Sequence, residues 1–168
     1  MKSRAIIFSG VILWLGGCHI SVSDSSDPMP AATVATTGAP EYFPTQIPAN
    51  PPLPFSEAVR VGDTLYLTGQ LGTLPGTTQV APGGIEAEAR QVMENIKAVL
   101  ERHGTSLDHV VKCTVFLADM KEWPAFNAVY RQYFPHHFPA RSAFGTTGLA
   151  FGARVEVECV AWVPPAAK

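Results

Sequence analysis

The chain has 168 residues, 46% of them hydrophobic and 15% charged. That length suits one ordinary domain with a short extension, and a body of about 150 residues buries a core without staples, which excludes collagen-like, coiled-coil and wholly disordered classes. Twelve Lys and Arg against fourteen Asp and Glu give a formal charge of −2, with no basic block, so nucleic-acid binding has little electrostatic support and a small-molecule partner is expected.

Lys2 and Arg4 precede an uncharged apolar run, Ala5 to Gly17, that ends in small residues before Cys18. The run is shorter than the roughly 20 residues a membrane-spanning helix needs and fits the about 7–15 of a signal-peptide hydrophobic region. Residues 1–17 are therefore expected to be a secretion signal. Leu15-Gly16-Gly17-Cys18 resembles the lipobox of bacterial lipoproteins, at which the signal peptidase cleaves before a cysteine that carries a diacylglycerol. The resemblance implies that Cys18 is the lipidated mature N-terminus and that the protein is exported and anchored to a bacterial membrane. With His19 rather than Asp after the cysteine, it implies the periplasmic face of the outer membrane. The alternative is an ordinary signal peptide in which Cys18 is incidental. Cleavage removes Lys2 and Arg4 and leaves ten basic against fourteen acidic residues, a charge of −4. From His19 to about Pro52 the chain is rich in Ser, Thr, Ala and Pro and has no Lys or Arg. Residues 18–52 therefore read as a tether, of roughly 3.1 Å per residue where it is polyproline-like. Tyr42, Phe43 and Ile47 near its end can dock on the domain that follows.

Residues 53–168 carry the periodicities of a folded domain. Glu57 to Val61 and Thr64 to Thr68 read as two strands joined by a tight Gly62-Asp63 turn. Ile85 to His103 places Ile85, Ala89, Val92, Ile96, Val99 and Leu100 on one helical face, and Gly104 follows where a helix ends in glycine. Val110 to Ala118 is β-branched and alternating, a third strand, and Lys121 to Phe134 sets Trp123, Phe126, Tyr130, Tyr133 and Phe134 at helical spacing. Ser142 to Thr147 is a short strand and Ala153 to Val163 a long alternating one. The predicted class is α+β, in the order ββαβαββ.

One strand face is aliphatic: Leu65 and Leu67; Val111, Cys113, Val115 and Leu117; Val155, Val157, Cys159, Ala161 and Val163. Two helices can cover only that face of a mixed sheet. The other face mixes Lys112, Thr114, Glu156 and Glu158 with Tyr66, Phe116 and Trp162, a composition suited to an oligomer interface. Cys113 and Cys159 in an oxidising compartment invite a disulfide. Each lies on the aliphatic face, however, where a free cysteine behaves as a small hydrophobe, and buried free thiols are expected.

No Walker loop, dinucleotide-binding glycine pattern, CxxC pair or nucleophile elbow is present, so no cofactor is expected. His136-His137 reads as a surface loop rather than a metal site, because adjacent histidines point apart and no third ligand is suitably spaced. Arg141 follows a proline-stiffened loop, Phe138-Pro139-Ala140, and by itself reads either as an ion-pair partner or as a ligand clamp. Glu156 and Glu158, on one strand face, by themselves read as interface salt bridges.

Thr68-Gly69-Gln70, Val111 to Leu117, Asn127-Ala128-Val129-Tyr130, Phe138-Pro139-Ala140-Arg141-Ser142 and Val155-Glu156-Val157-Glu158 stand in the order and spacing of the Rid (YjgF-like) imine/enamine deaminases. The resemblance spans about Leu53 to Val163. It implies a chorismate-mutase-like fold, a homotrimer with a central barrel, and sites at subunit boundaries that need no cofactor or metal. It implies that Arg141 holds a substrate carboxylate, that Glu156 orients the attacking water, and that Asn127 and Thr68-Gly69 line the site. Phe55 stands where the family usually has tyrosine and Ala143 where many members have cysteine, which bears on substrate identity. The expected reaction is hydrolytic deamination of small 2-imino or 2-enamino acids to 2-oxo acids and ammonia. The alternatives are a non-catalytic trimeric binding module for small carboxylates, or another hydrolase on the same scaffold.

Overall fold

Alternating burial along three central segments builds the sheet, and the computed structural model describes residues 38–49 and 51–165. The strands are β1 (Glu41–Pro44), β2 (Ser56–Val61), β3 (Thr64–Leu67), β4 (Gln70–Leu71), β5 (Val110–Leu117), β6 (Ala140–Gly145) and β7 (Val155–Trp162), and the helices are α1 (Gly84–Arg102) and α2 (Trp123–Tyr130). The sheet runs β1-β2-β3-β7-β5-β6, with β4 also on β7. Among the described residues only β5 and β6 pair in parallel, as a crossover through α2 requires. Both helices pack on one face, so the fold is the expected α+β arrangement. Leu65, Met93, Ile96, Leu100, Val115, Leu117, Phe126, Val155 and Val157 are all buried between the layers.

Several expectations are corrected by packing. The apolar repeat of the second helix continues past its α-helical part, which is only Trp123–Tyr130. Single 3₁₀ turns, Met120–Glu122 and Arg131–Tyr133, extend it on either side. Val111 is not on the buried face. A bulge between Val110 and Lys112 turns Val110 inward and leaves Val111 52% exposed, because the inserted residue shifts the side-chain alternation by one. Cys113 and Cys159 face each other across β5 and β7 and form a disulfide, not free thiols. Their shared place on the buried face, which argued for inert thiols, is what brings the two sulfurs together.

The sheet also begins earlier than the sequence suggested. β1 lies within the stretch read as tether and pairs antiparallel with β2, Phe43 opposite Ala58. Phe43 reaches His103 with ring centroids 4.1 Å apart. His103 and Arg102, at the end of α1, hold the buried carboxylate of Glu57 on β2, at 3.3 and 2.9 Å. The predicted signal peptide, Cys18 and the first part of the tether lie outside the described residues.

Two features fix the strands that carry the predicted site. Gly62 turns the β2–β3 hairpin at φ 58°, where a side chain would be strained. Buried Glu88 of α1 accepts the backbone N–H of Arg154 at 2.7 Å and sets the start of β7. Burial pushes the Glu88 carboxyl above its ordinary value, more than that backbone bond and the Arg154 charge lower it.

Candidate active site

β6 begins at Ala140, two residues earlier than expected, so Arg141 is part of the strand. It aligns with Cys113 of the parallel neighbour β5, and aligned residues of a parallel pair point to the same face. Cys113 is in the core, so Arg141 faces the helices. There its Cζ lies 4.5 Å from the centroid of the Trp123 ring and 4.4 Å from that of Tyr130. Among the described residues no carboxylate comes within ion-pair distance of it, whereas Arg102 and Arg154 are both paired. Arg141 opens into a cleft of about 250 Å³ that it lines with Asn127, Tyr130, Arg131, Phe138 and Pro139. Burial pushes the Tyr130 phenol up to about 12, the nearby Arg141 charge lowering it less, so the ring stays neutral. A half-buried guanidinium with no internal counter-ion, opening on a cleft, is chemically suited to receive a carboxylate, which its planar fork can bind through two parallel hydrogen bonds.

Glu156 lies on the other side of the sheet. It sits between buried Val155 and Val157, so alternation turns it to the open face, opposite Phe116 of β5 and Leu71 of β4. Its carboxylate occupies the space above Gly69. A Cβ built on Gly69 would collide with Oε1 of Glu156 and stand 2.8 Å from its Cδ. Burial, and secondarily the charge of Glu158 on the same face, raise the Glu156 carboxyl above its ordinary value. A partly desolvated carboxylate without a cationic partner is a better proton acceptor than one in water.

The predicted residues therefore fall into two groups. Arg141 and Asn127 share the cleft. Ala143, two residues on and aligned with Val115, lies on the Arg141 face and packs against the core. Glu156 and Gly69 meet on the open face, and the neighbouring Thr68 is fixed by its N–H to the Glu57 carbonyl at 3.0 Å. Phe55, just before β2, is 46% exposed. Arg141 and Glu156 are two strands and three register positions apart, about 10 Å in each direction, and on opposite faces. One chain does not bring them together. Sequence reasoning missed Trp123 and Tyr130 as neighbours of Arg141. Their helical spacing marked them as core, and only the parallel pairing of β6 carries the arginine to them.

The chain is thus an α+β protein with an anion-receptive arginine on an edge strand and a carboxylate on an uncovered sheet face. The family described as Endoribonuclease L-PSP matches residues 46–163. A goat (Capra hircus) relative named 2-iminobutanoate/2-iminopropanoate deaminase is 46% identical over 64% of this chain and 79% of its own length. Among solved structures, RidA from an Antarctic Psychrobacter is 38% identical with a TM-score of 0.67, over 73% of this chain and 99% of that one. TdcF from E. coli, solved with bound serine, is 29% identical with a TM-score of 0.66, over 74% and 99%. The chain belongs to this Rid/YjgF (L-PSP) family, whose curated relatives include imine deaminases.

Proposed function

We propose that the protein is a hydrolytic deaminase of small 2-imino acids and their 2-enamino tautomers, working outside the cytoplasm. The observation that carries this reading is Arg141, the guanidinium without an internal counter-ion that lines the cleft with Asn127. The names of the relatives supply the reaction class, and TdcF with bound serine shows that a relative accepts a small amino acid. The substrate carboxylate takes the Arg141 fork. Glu156 accepts a proton from water as its oxygen adds to the C=N carbon and returns that proton to nitrogen; the carbinolamine then collapses as its hydroxyl proton passes to the departing amine and the C–N bond breaks. Imine and water thus give ammonia and a 2-oxo acid, with no electrons gained or lost. Positioning and general acid–base help of about 10²–10⁴-fold suffice for so reactive a substrate.

Since Arg141 and Glu156 lie on opposite faces, this mechanism takes them from different chains. The trimer supplies that arrangement, Arg141 of one copy facing Glu156 of the next. The open face has the residues for such an interface: Tyr66, Phe144 and Trp162 are all exposed on it. Phe55 and Ala143 replace polar groups by apolar ones and bear on the substrate side chain rather than on the clamp. Export and a lipid anchor on Cys18 are part of the proposal. The Cys113–Cys159 disulfide supports export, since such bonds persist in oxidising compartments and are rare in the cytosol.

The test pairs pyruvate calorimetry with ammonia release from enzymatically generated 2-iminopropanoate. Arg141→Ala is expected to weaken binding by about 2–4 kcal/mol. Glu156→Gln is expected to bind pyruvate normally while turnover falls about 10²-fold. Ligand binding with no ammonia release from any imino acid would leave a binding module instead. For the anchor, loss of membrane association in Cys18→Ser is expected, and a variant that still fractionates with membranes refutes it.

A further inference from the structure

We propose that Trp123 and Tyr130 are positioning residues for the reaction, a pair of rings on α2 that holds the Arg141 guanidinium in the orientation a carboxylate requires. The inference rests on the reading of Arg141 as the carboxylate clamp. An arginine on an edge strand has several freely rotating bonds, and a bidentate pair forms only when its planar fork is aimed. An acid can aim an arginine, as buried Glu57 aims Arg102. An acid beside Arg141 would compete with the substrate for the same N–H groups. Aromatic faces attract the cation without occupying its hydrogen bonds, so they aim the fork and leave it empty.

The geometry meets this requirement at two points. Cζ is 4.5 Å from the Trp123 centroid and 4.4 Å from that of Tyr130. The two residues are seven positions apart, about two helical turns, so the guanidinium is held by rings from both ends of α2. The rings are themselves fixed. Fully buried Phe126 stacks on Trp123 at 6.0 Å and lies 5.5 Å from Tyr130, which in turn meets Phe134 at 4.8 Å. The Tyr130 hydroxyl is buried and makes no well-aligned hydrogen bond, although the Arg141 guanidinium is near enough to favour its ionised form, so the guanidinium is held chiefly by the ring face beneath Cζ.

Ammonia-release kinetics on 2-iminopropanoate and pyruvate calorimetry test the inference in the full chain. Trp123→Leu and Tyr130→Leu are expected each to raise KM about tenfold while kcat stays within about twofold. Tyr130→Phe, which keeps the ring, is expected to raise KM by no more than about threefold, against about tenfold for Tyr130→Leu. Trp123→Phe keeps the packing but weakens the attraction to the cation, and is expected to raise KM about threefold. In an Arg141→Ala background the same substitutions are expected to cost nothing more, because they act only through the guanidinium. A merely structural role predicts additive losses instead. If the leucine variants fail to fold, Trp123→Phe decides: an unchanged KM overturns the inference. An unchanged KM in the folded leucine variants, with Arg141→Ala impaired, overturns the inference and leaves the clamp reading standing. Unaltered binding in Arg141→Ala overturns the clamp reading itself.

Discussion

Breaking the Cys113–Cys159 disulfide should lower stability by an amount set mostly by the loop it closes. The bond joins β5 to β7 across a sequence separation of 46 residues, and that loop contains α2 and β6, hence Arg141 and both rings that hold it. Loop-closure entropy for this length is about 14 cal/mol/K, or about 4 kcal/mol at 25 °C. A domain of about 125 residues unfolds with roughly 0.26 kcal/mol/K of entropy, so the full effect corresponds to about 15 °C in Tm, and half of it to about 8 °C. The two thiols left behind sit among Val115, Val157 and other aliphatic neighbours and behave there as small hydrophobes. The loss is therefore mainly that of the crosslink. Thermal unfolding of oxidised and phosphine-reduced protein, with a Cys113→Ala/Cys159→Ala double variant as the control, measures it. A change in Tm of less than about 2 °C, or two titratable thiols in unfolded protein purified without reductant, would refute the reasoning.

Gly69→Ala is expected to fold normally yet lose turnover about as severely as Glu156→Gln, roughly 10²-fold. The added methyl meets the flexible end of the Glu156 side chain and displaces the carboxylate rather than the backbone, so normal ammonia release from this variant refutes the placement. Glu156→Gln should also melt higher than the parent at neutral pH. The Glu156 carboxyl is raised above 4.5, so the folded state binds its proton more tightly than the unfolded state. Stability then falls as pH rises from the unfolded value through the folded one and is level above it. Calorimetric scans that show no Tm gain at pH 7, or a gain that persists at pH 4, contradict this. Light scattering of the Thr36–Lys168 unit is expected to give a trimer, and a stable monomer at micromolar concentration removes the composite site.

The fold was legible wherever burial is periodic. Alternation in Thr64 to Leu67, in the second half of β5 and in β7 marks strands, and the apolar face of α1 with Gly104 behind it marks a helix, because each pattern matches the geometry of one element. It was illegible where pairing rather than pattern decides. β1 is four residues, Glu41–Pro44, in a Pro-rich stretch whose composition reads as tether, and it becomes a strand only because β2 offers it an edge. The bulge at Val110/Lys112 leaves no mark in a run of β-branched residues. Arg141 and Glu156 were recognisable through their flanking motifs. That they lie on opposite faces depends on β6 running parallel to β5, which no local spacing encodes.

This division between faces explains how one chain can hold both groups without their neutralising each other. Placed together in a monomer, Arg141 and Glu156 would form an ion pair, which lowers the pKa of the acid and fills the fork. Kept apart by the sheet, the arginine is aimed by packing on the helix side, while the glutamate stays without a cation above Gly69. In the assembly proposed above, covering the open face with a second copy would bring a foreign Arg141 to the rim of the site with its fork free for substrate. The same covering would remove more water from Glu156, which would raise its basicity further. On this reasoning assembly does more than complete a list of residues. If the proposed assembly forms, the burial that joins the chains is the same burial that makes the carboxylate a useful base, so a variant unable to associate is expected to lack the proton acceptor as well as the clamp, and its ammonia release to fall with its association.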